Sequence, residues 1–257
     1  MKYILQLILT ITFFISSASS EDLYTKVEKV IDGDTIITTD GDSVRLLDIN
    51  TPEISHNKNP SEPFAIEAKK ELERILPHET EIHLVFGKRK YDRYKRLLAH
   101  IYTNNKTWAN AHMVRKGFAH VYSFPDNALK VEQLTPIEEQ ARKAEKGIWQ
   151  SDRWQVLDAT KPISDDKIGK FYIIEGRVLH TAHVNGVSYL NFGENWRKDF
   201  SIEIPKKYLN KFTKKGIKPT DYYKRKKVRV RGRLKPVNGV LITATHPEQL
   251  TILDEIN

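Results

Sequence analysis

In the first half of the chain, apolar and polar positions alternate in short runs with the period of half-buried strands. Thr25 to Thr39 reads as strand broken at Asp32-Gly33-Asp34, and Asp40-Gly41-Asp42 is a hairpin signal leading into Ser43 to Ile49. The pattern then lengthens to helical spacing. Ser61-Glu62-Pro63 opens a helix with Ser61 as the expected N-cap, running to about Leu76 before Pro77. Glu81 to Phe86 and Leu97 to Tyr102 are strand-like. Thr107 to Lys116 and Asn127 to Lys146 read as helices, stopping at Gly117 and Gly147 where a C-cap glycine belongs. Strands with helices interleaved and trailing suit a small β-barrel with helices packed on it.

A second set of strands follows. Phe171 to Leu179 and Ser188 to Phe192 flank the turn Val184-Asn185-Gly186-Val187, and Asp199 to Ile204 alternates at period two. Lys206 to Lys215 reads as a helix. Lys227 to Leu234 and Val240 to Thr245 pair around Asn238-Gly239. Five strands with a helix before the last pair is the order of an OB-fold. The polar stretch 151–169 has no sustained period and is expected to be a linker between a unit at 21–150 and one at 170–257. The expected class is therefore α+β, mainly β with helices, and 257 residues suffice for two modest cores.

Charge sharpens this division. The chain carries a net +9, but residues 161–257 hold 20 Lys and Arg against 10 Asp and Glu, whereas residues 21–160 hold 21 against 23. The second unit is the basic one, a balance that favours polyanionic partners. In Val228-Arg229-Val230-Arg231-Gly232-Arg233-Leu234, apolar residues face one side and three arginines the other. Arg229, Arg231 and Arg233 are candidate substrate contacts in a basic groove, with Tyr189, Phe192, Trp196 and Phe200 as candidate stacking platforms. A solvated strand face over an ordinary aromatic core gives the same pattern. At the other end, Lys2, the apolar run Tyr3 to Ile15 and the small residues Ser16 to Ser20 have signal-peptide anatomy over residues 1–20, pointing to a secreted or periplasmic protein. An uncleaved N-terminal anchor is the alternative. The absence of cysteine excludes disulfides and lipid attachment at cysteine.

The densest chemistry lies in Asp32-Gly33-Asp34-Thr35, Arg45-Leu46-Leu47-Asp48-Ile49-Asn50-Thr51-Pro52-Glu53 and Asp92-Arg93-Tyr94-Lys95-Arg96. Carboxylates suited to a hard cation sit close to cations suited to a phosphate, a combination that points to a phosphodiester. Asp-Gly-Asp taken alone is also a plain turn. Arg45 lies in a strand otherwise built for burial, where a charge is usually paired or functional.

These three motifs, in this order, resemble the staphylococcal nuclease (thermonuclease) family over residues 24 to 150. The resemblance implies a five-stranded OB-type barrel with three helices and a Ca²⁺-dependent nuclease of little sequence preference. Its substrate would be DNA, with RNA a second candidate, and its products 3′-phosphates. It makes Arg45 and Arg96 the phosphate-binding arginines, Asp34, Asn50 and the Thr51 carbonyl the metal ligands, and Glu53 the residue that orients or deprotonates water. Tyr94 would lie beside a terminal phosphate of bound nucleotide, a position a plain buried aromatic also explains; Arg93 would touch flanking phosphates or solvent. Asn50 departs from the family, which commonly has aspartate there, so one negative charge is missing from the site. Asp48, two residues earlier on an extended strand, is a candidate to restore it. A nucleic-acid-binding protein with a disabled barrel is the alternative function. The last hundred residues resemble, through Tyr189-Leu190-Asn191-Phe192-Gly193 and Thr245-His246-Pro247-Glu248-Gln249, C-terminal domains attached to some bacterial thermonuclease-like proteins.

Overall fold

The computed structural model describes residues 23–55 and 60–253; the signal-like segment 1–20 lies outside them. The first half folds as β1 (Leu23–Asp32), β2 (Thr35–Thr38), β3 (Ser43–Leu46), β4 (Ile49–Asn50), α1 (Ala65–Ile75), β5 (Glu81–Tyr91), β6 (Leu97–Thr103), α2 (Ala109–Arg115), β7 (His120–Val121) and α3 (Val131–Lys143). Strands β1-β2-β3-β6-β5 close into a barrel, with β3 and β6 parallel and the other neighbours antiparallel. The alternating apolar positions Val27, Ile36, Val44, Leu84 and Ile101 all point into its core. β4 and β7 form a separate two-stranded ladder pairing Ile49 with Val121 and Asn50 with His120.

Helix α1 covers the barrel through Ala65, Ala68 and Leu72, one face at helical spacing. Its start differs from expectation. The N-cap position is Phe64, in the left-handed region at φ 70°, and the Ser61 hydroxyl instead accepts the Ser55 N–H at 3.0 Å. Pro63 is followed by one more non-helical residue, which moves the helix start beyond the reach of Ser61.

The second half contains β8 (Leu157–Asp158), β9 (Phe171–Arg177), β10 (His180–Val184), β11 (Val187–Asn191), β12 (Phe200–Ile204), α4 (Lys206–Thr213), α5 (Pro219–Tyr222), β13 (Lys227–Lys235), β14 (Val240–Thr243) and β15 (Leu250–Ile252). The path runs β10-β11-β12-β14-β13-β9, with β12 and β14 parallel. Strands β9 and β10 are successive stretches of chain: the Val178 N–H bonds to the Lys226 carbonyl and the next N–H, Leu179, to Asn191. The ring thus returns on itself in the same order as the first barrel, strand one to two to three to five to four. Both hairpin signals hold, since Asn185-Gly186 and Asn238-Gly239 have positive φ at both residues, as a tight primed turn requires. Phe192 and Phe200 are core residues, 2% and 4% exposed, and not platforms.

The expected linker is built into the second sheet. Leu157–Asp158 pairs in parallel with β9, and Trp154 and Ala159 are buried. Few apolar residues were needed to fix it, too few to produce a period.

The arginine stripe of β13 is the largest revision. Alternation places the arginines on one face, but that face is covered by the first half of the molecule. Arg231 is 2% exposed and pairs with Glu138 of α3 at 2.9 Å, itself 1% exposed. Arg231 also donates to the Val121 carbonyl at 3.1 Å, while Glu138 accepts the Val121 N–H at 2.6 Å. Arg229 is equally buried, against Glu175 at 2.7 Å and Glu139 at 3.3 Å. Only Arg233 is exposed. Arg229 and Arg231 therefore fasten the two halves together and are not available to a nucleic acid. The Thr245–Gln249 motif has a similar part: the Gln249 side chain donates to the Arg231 carbonyl at 3.0 Å, and His246 Nε2 lies 2.7 Å from Ser123 Oγ.

Candidate active site

The β1–β2 turn is pressed against its surroundings. A Cβ on Gly33 would meet Ala68 Cβ of α1 and Thr51 Oγ1, each at 2.8 Å, so this position requires glycine. The close approach aims Asp34 inward at 4% exposure. Its Oδ2 accepts the Thr51 N–H at 2.9 Å and the Thr51 hydroxyl at 3.1 Å, and pairs with Arg45 Nη2 at 2.9 Å. Arg45 donates in addition to the Leu46 carbonyl and, at 2.9 Å, to Asn50 Oδ1; the Asn50 amide donates to the Thr51 carbonyl at 2.9 Å. Four of the expected residues, Asp34, Arg45, Asn50 and Thr51, thus form one hydrogen-bonded cluster at the barrel rim.

Burial pushes the Asp34 carboxyl up to about 6, opposed by Arg45 and reinforced by the nearby Asp32 and Glu53 carboxylates. Glu53 is exposed, yet its carboxyl also sits above the usual range, through partial desolvation and the Asp32 charge, with Arg45 and Arg96 opposing. Asp32, Asp34 and Glu53 are therefore close enough to act on one another, facing two arginines.

Two local devices hold the outer members. The Glu53 N–H donates to Glu62 Oε2 at 3.0 Å and its carbonyl accepts the Glu62 N–H at 3.0 Å; Arg153 Nη2 grips the other Glu62 oxygen at 3.2 Å. Arg96 is held by Asp92, whose Oδ2 accepts Nε at 2.8 Å while Oδ1 accepts the Arg96 and Tyr94 N–H groups at 3.0 and 2.8 Å. Tyr94 is 64% exposed, with the Arg93 guanidinium 4.8 Å and that of Arg96 5.6 Å from its ring centre. It is therefore an open surface and not a core aromatic.

Asp48 does not join the cluster. It turns at φ 60° and is 3% exposed, with Oδ2 accepting the Lys130 N–H at 2.9 Å and lying 3.3 Å from His100 Nε2. The turn breaks the extended geometry that would have placed it on the Asn50 face, so it cannot replace the missing charge. Sequence reasoning passed over Asp32, Glu62, Asp92 and Arg153. Asp32 and Asp92 lay inside the motifs already singled out; Glu62 and Arg153 had no local signal, since their value comes from tertiary contact.

Among the described residues, no group of three or more His, Cys, Asp or Glu is arranged to hold a metal. Asn50 Oδ1 and the Thr51 carbonyl fall outside that set of residue types, and with Asp34 they supply hard oxygen donors of the kind Ca²⁺ takes.

A closed five-stranded barrel gathering a buried carboxylate, two arginines and an accessible glutamate at one rim defines an OB-fold phosphodiester hydrolase. Comparison with known proteins agrees. Residues 43–151 match the family model described as staphylococcal nuclease homologue. The chain is 32% identical over 136 residues to a thermonuclease of Staphylococcus hyicus, covering 52% of this chain and 79% of that one. It is 30% identical over 128 residues to the SPbeta prophage-derived endonuclease YokF of Bacillus subtilis, covering 48% of this chain and 43% of that one. A thermonuclease of Staphylococcus intermedius is 28% identical over 127 residues, covering 48% and 74%. The chain belongs to the staphylococcal nuclease family, and is a hydrolase of the nuclease class.

Proposed function

We propose that this nuclease is exported and Ca²⁺-dependent, and that it cleaves DNA, and RNA as a second substrate, with little sequence preference to leave 3′-phosphates. The observation that supports this most is the Asp34–Arg45–Asn50–Thr51 cluster with Glu53 beside it. Asp34, Asn50 Oδ1 and the Thr51 carbonyl would hold the ion. The buried Asp34 carboxyl, raised to about 6, lies beside the Asp32 and Glu53 carboxylates, three acidic groups against the two guanidiniums of Arg45 and Arg96. When bound, Ca²⁺ would neutralise charge on the phosphoryl oxygens.

The chain's own groups supply the rest. Arg45 and Arg96 bind the phosphate as fixed, planar cations and stabilise the charge that grows on it. Glu53, exposed and with a raised pKa, orients the attacking water and accepts its proton. Tyr94 and Arg93 contact the substrate beside Arg96. Export is supported by the signal-peptide anatomy of residues 1–20.

The test is digestion of single-stranded DNA in Ca²⁺ and in chelator, with end-group analysis. Metal-dependent cleavage to fragments bearing 3′-phosphate is expected. Fragments bearing 5′-phosphate, or cleavage undiminished by chelator, would overturn the proposed chemistry. Binding without cleavage in any divalent metal would favour the disabled-barrel reading, with Asn50 as its cause.

A further inference from the structure

The two halves enclose a cleft of about 440 Å³. Its first-half wall carries Phe124, 40% exposed, and starts from Tyr122, whose N–H bonds to the Asp48 carbonyl two residues beyond the His120–Asn50 pair. Its second-half wall carries Lys207, Tyr208, Arg233 and Lys235. The Lys207 ammonium lies 4.9 Å from the Tyr208 ring centre, and Arg233 is fixed by donating to the Gly169 carbonyl at 2.9 Å. Among the described residues, the one ion pair these three cations make is the loose contact of Lys235 with Glu203 at 3.9 Å. That glutamate also accepts from Thr243, which in turn accepts from Lys235.

The contrast within β13 is informative. Arg229 and Arg231 are matched by three buried or half-buried glutamates. On the same strand, Arg233 faces the cleft without an ion pair among the described residues, and Lys235 faces it with only the loose contact to Glu203, which lines the cleft as well. Exposed cations interleaved with aromatic rings along a groove are the means by which single strands are held, phosphates by charge and bases by stacking. We infer that this inter-barrel cleft is a binding track for a single nucleic-acid strand, occupied by nucleotides flanking the one that reacts. The inference takes its ligand class from the nuclease function and extends that site onto the second barrel. A track of this kind holds long substrates and leaves the chemistry of the shortest untouched.

The experiment compares the full chain with its K207Q/R233Q/K235Q variant. Affinity for an oligothymidylate of about 20 nucleotides is measured in chelator across a salt series, and hydrolysis of a thymidine dinucleotide is measured in Ca²⁺. Loss of three phosphate contacts should make the slope of log K against log salt shallower by about 2 and weaken binding near 0.1 M salt on the order of 100-fold. The dinucleotide rate should not change. The single variant Lys207→Glu, at an exposed position in the first turn of α4, should weaken oligothymidylate binding about tenfold without loss of folding. Unchanged affinity and salt slope in both variants would overturn the track. Because binding is read in chelator, the result stands even if the wild-type chain cleaves neither substrate, an outcome that would count against the nuclease chemistry alone.

Discussion

The molecule contains two barrels with the same strand order and the same parallel closure, and they use their charged residues in opposite ways. In the first, the turn between strands one and two is Asp32-Gly33-Asp34, pressed against α1 and Thr51 so that its carboxylate meets Arg45 at the rim. In the second, the turn between the corresponding strands is Asn185-Gly186, which closes a hairpin and carries no charge. The charges of the second barrel lie instead on its fourth strand, β13, where Arg229 and Arg231 are buried against glutamates, two of them on α3 of the first. A shared topology therefore sets where side chains can converge and leaves open whether they react or fasten. The fastening reaches the site: Arg231 and Glu138 together satisfy both backbone groups of Val121, whose ladder partner is Ile49, next to Asn50.

The sharpest way to break this contrast is to remove Glu53, the carboxylate proposed to act on water. Glu53→Ser should lower cleavage of single-stranded DNA by a factor of about 10² to 10⁴ with the fold intact, as a steady-state assay and circular dichroism would show. The fastening predicts a different signature. Arg231→Met leaves Glu138 charged and buried without its partner, and should cost about 3–5 kcal/mol in urea unfolding; adding Glu138→Leu should recover much of that loss. If Arg231→Met left stability unchanged, the second barrel would not be fastened as described.

Acid should loosen the same interface. Burial lowers His120, stacked 4.3 Å from the Phe171 ring centre, and His246, against Ser123, each to about 4. Both are neutral in the folded protein, so the stability they contribute is full above about pH 6.5 and is lost as pH falls toward 4. Denaturation midpoints at several pH values should fall over that window, and a His120→Phe variant should show a shallower fall.

Asp48→Asn tests the division inside the first barrel. It removes an acceptor from a buried network and should destabilise by about 1–3 kcal/mol while leaving Ca²⁺ affinity unchanged. The smallest effect expected is that of Asn50→Asp, which adds a negative charge among the oxygen donors and should tighten Ca²⁺ binding in calorimetry with little change in stability.

Much of the fold was legible because local signals were strong. Asn185-Gly186 and Asn238-Gly239 specify hairpins whatever surrounds them, and period-two alternation located most strands. Ser61 misled because a serine before Glu-Pro reads as a cap, while Phe64, the residue directly after the proline, occupies that position. In the site, Asp34, Arg45, Asn50 and Thr51 were visible as a motif and the fold brings them together. Asp48 was misplaced because one residue at positive φ reverses the face that extended geometry assigns. Alternation puts Arg229 and Arg231 on one side of their strand, as the structure has them, but that side is neither the substrate groove nor the solvated face expected of it. Their partners Glu138 and Glu139 lie about 90 residues away, and no local pattern records such a pairing.

The most direct test of the account is degradation of single-stranded DNA by the purified chain and by Glu53→Ser, each with Ca²⁺ and with chelator. The account predicts rapid cleavage by the wild type in Ca²⁺ alone and a loss of at least about 10²-fold in the variant. Equal cleavage by the variant, or cleavage that survives chelation, would contradict the placement of the chemistry at the rim of the first barrel.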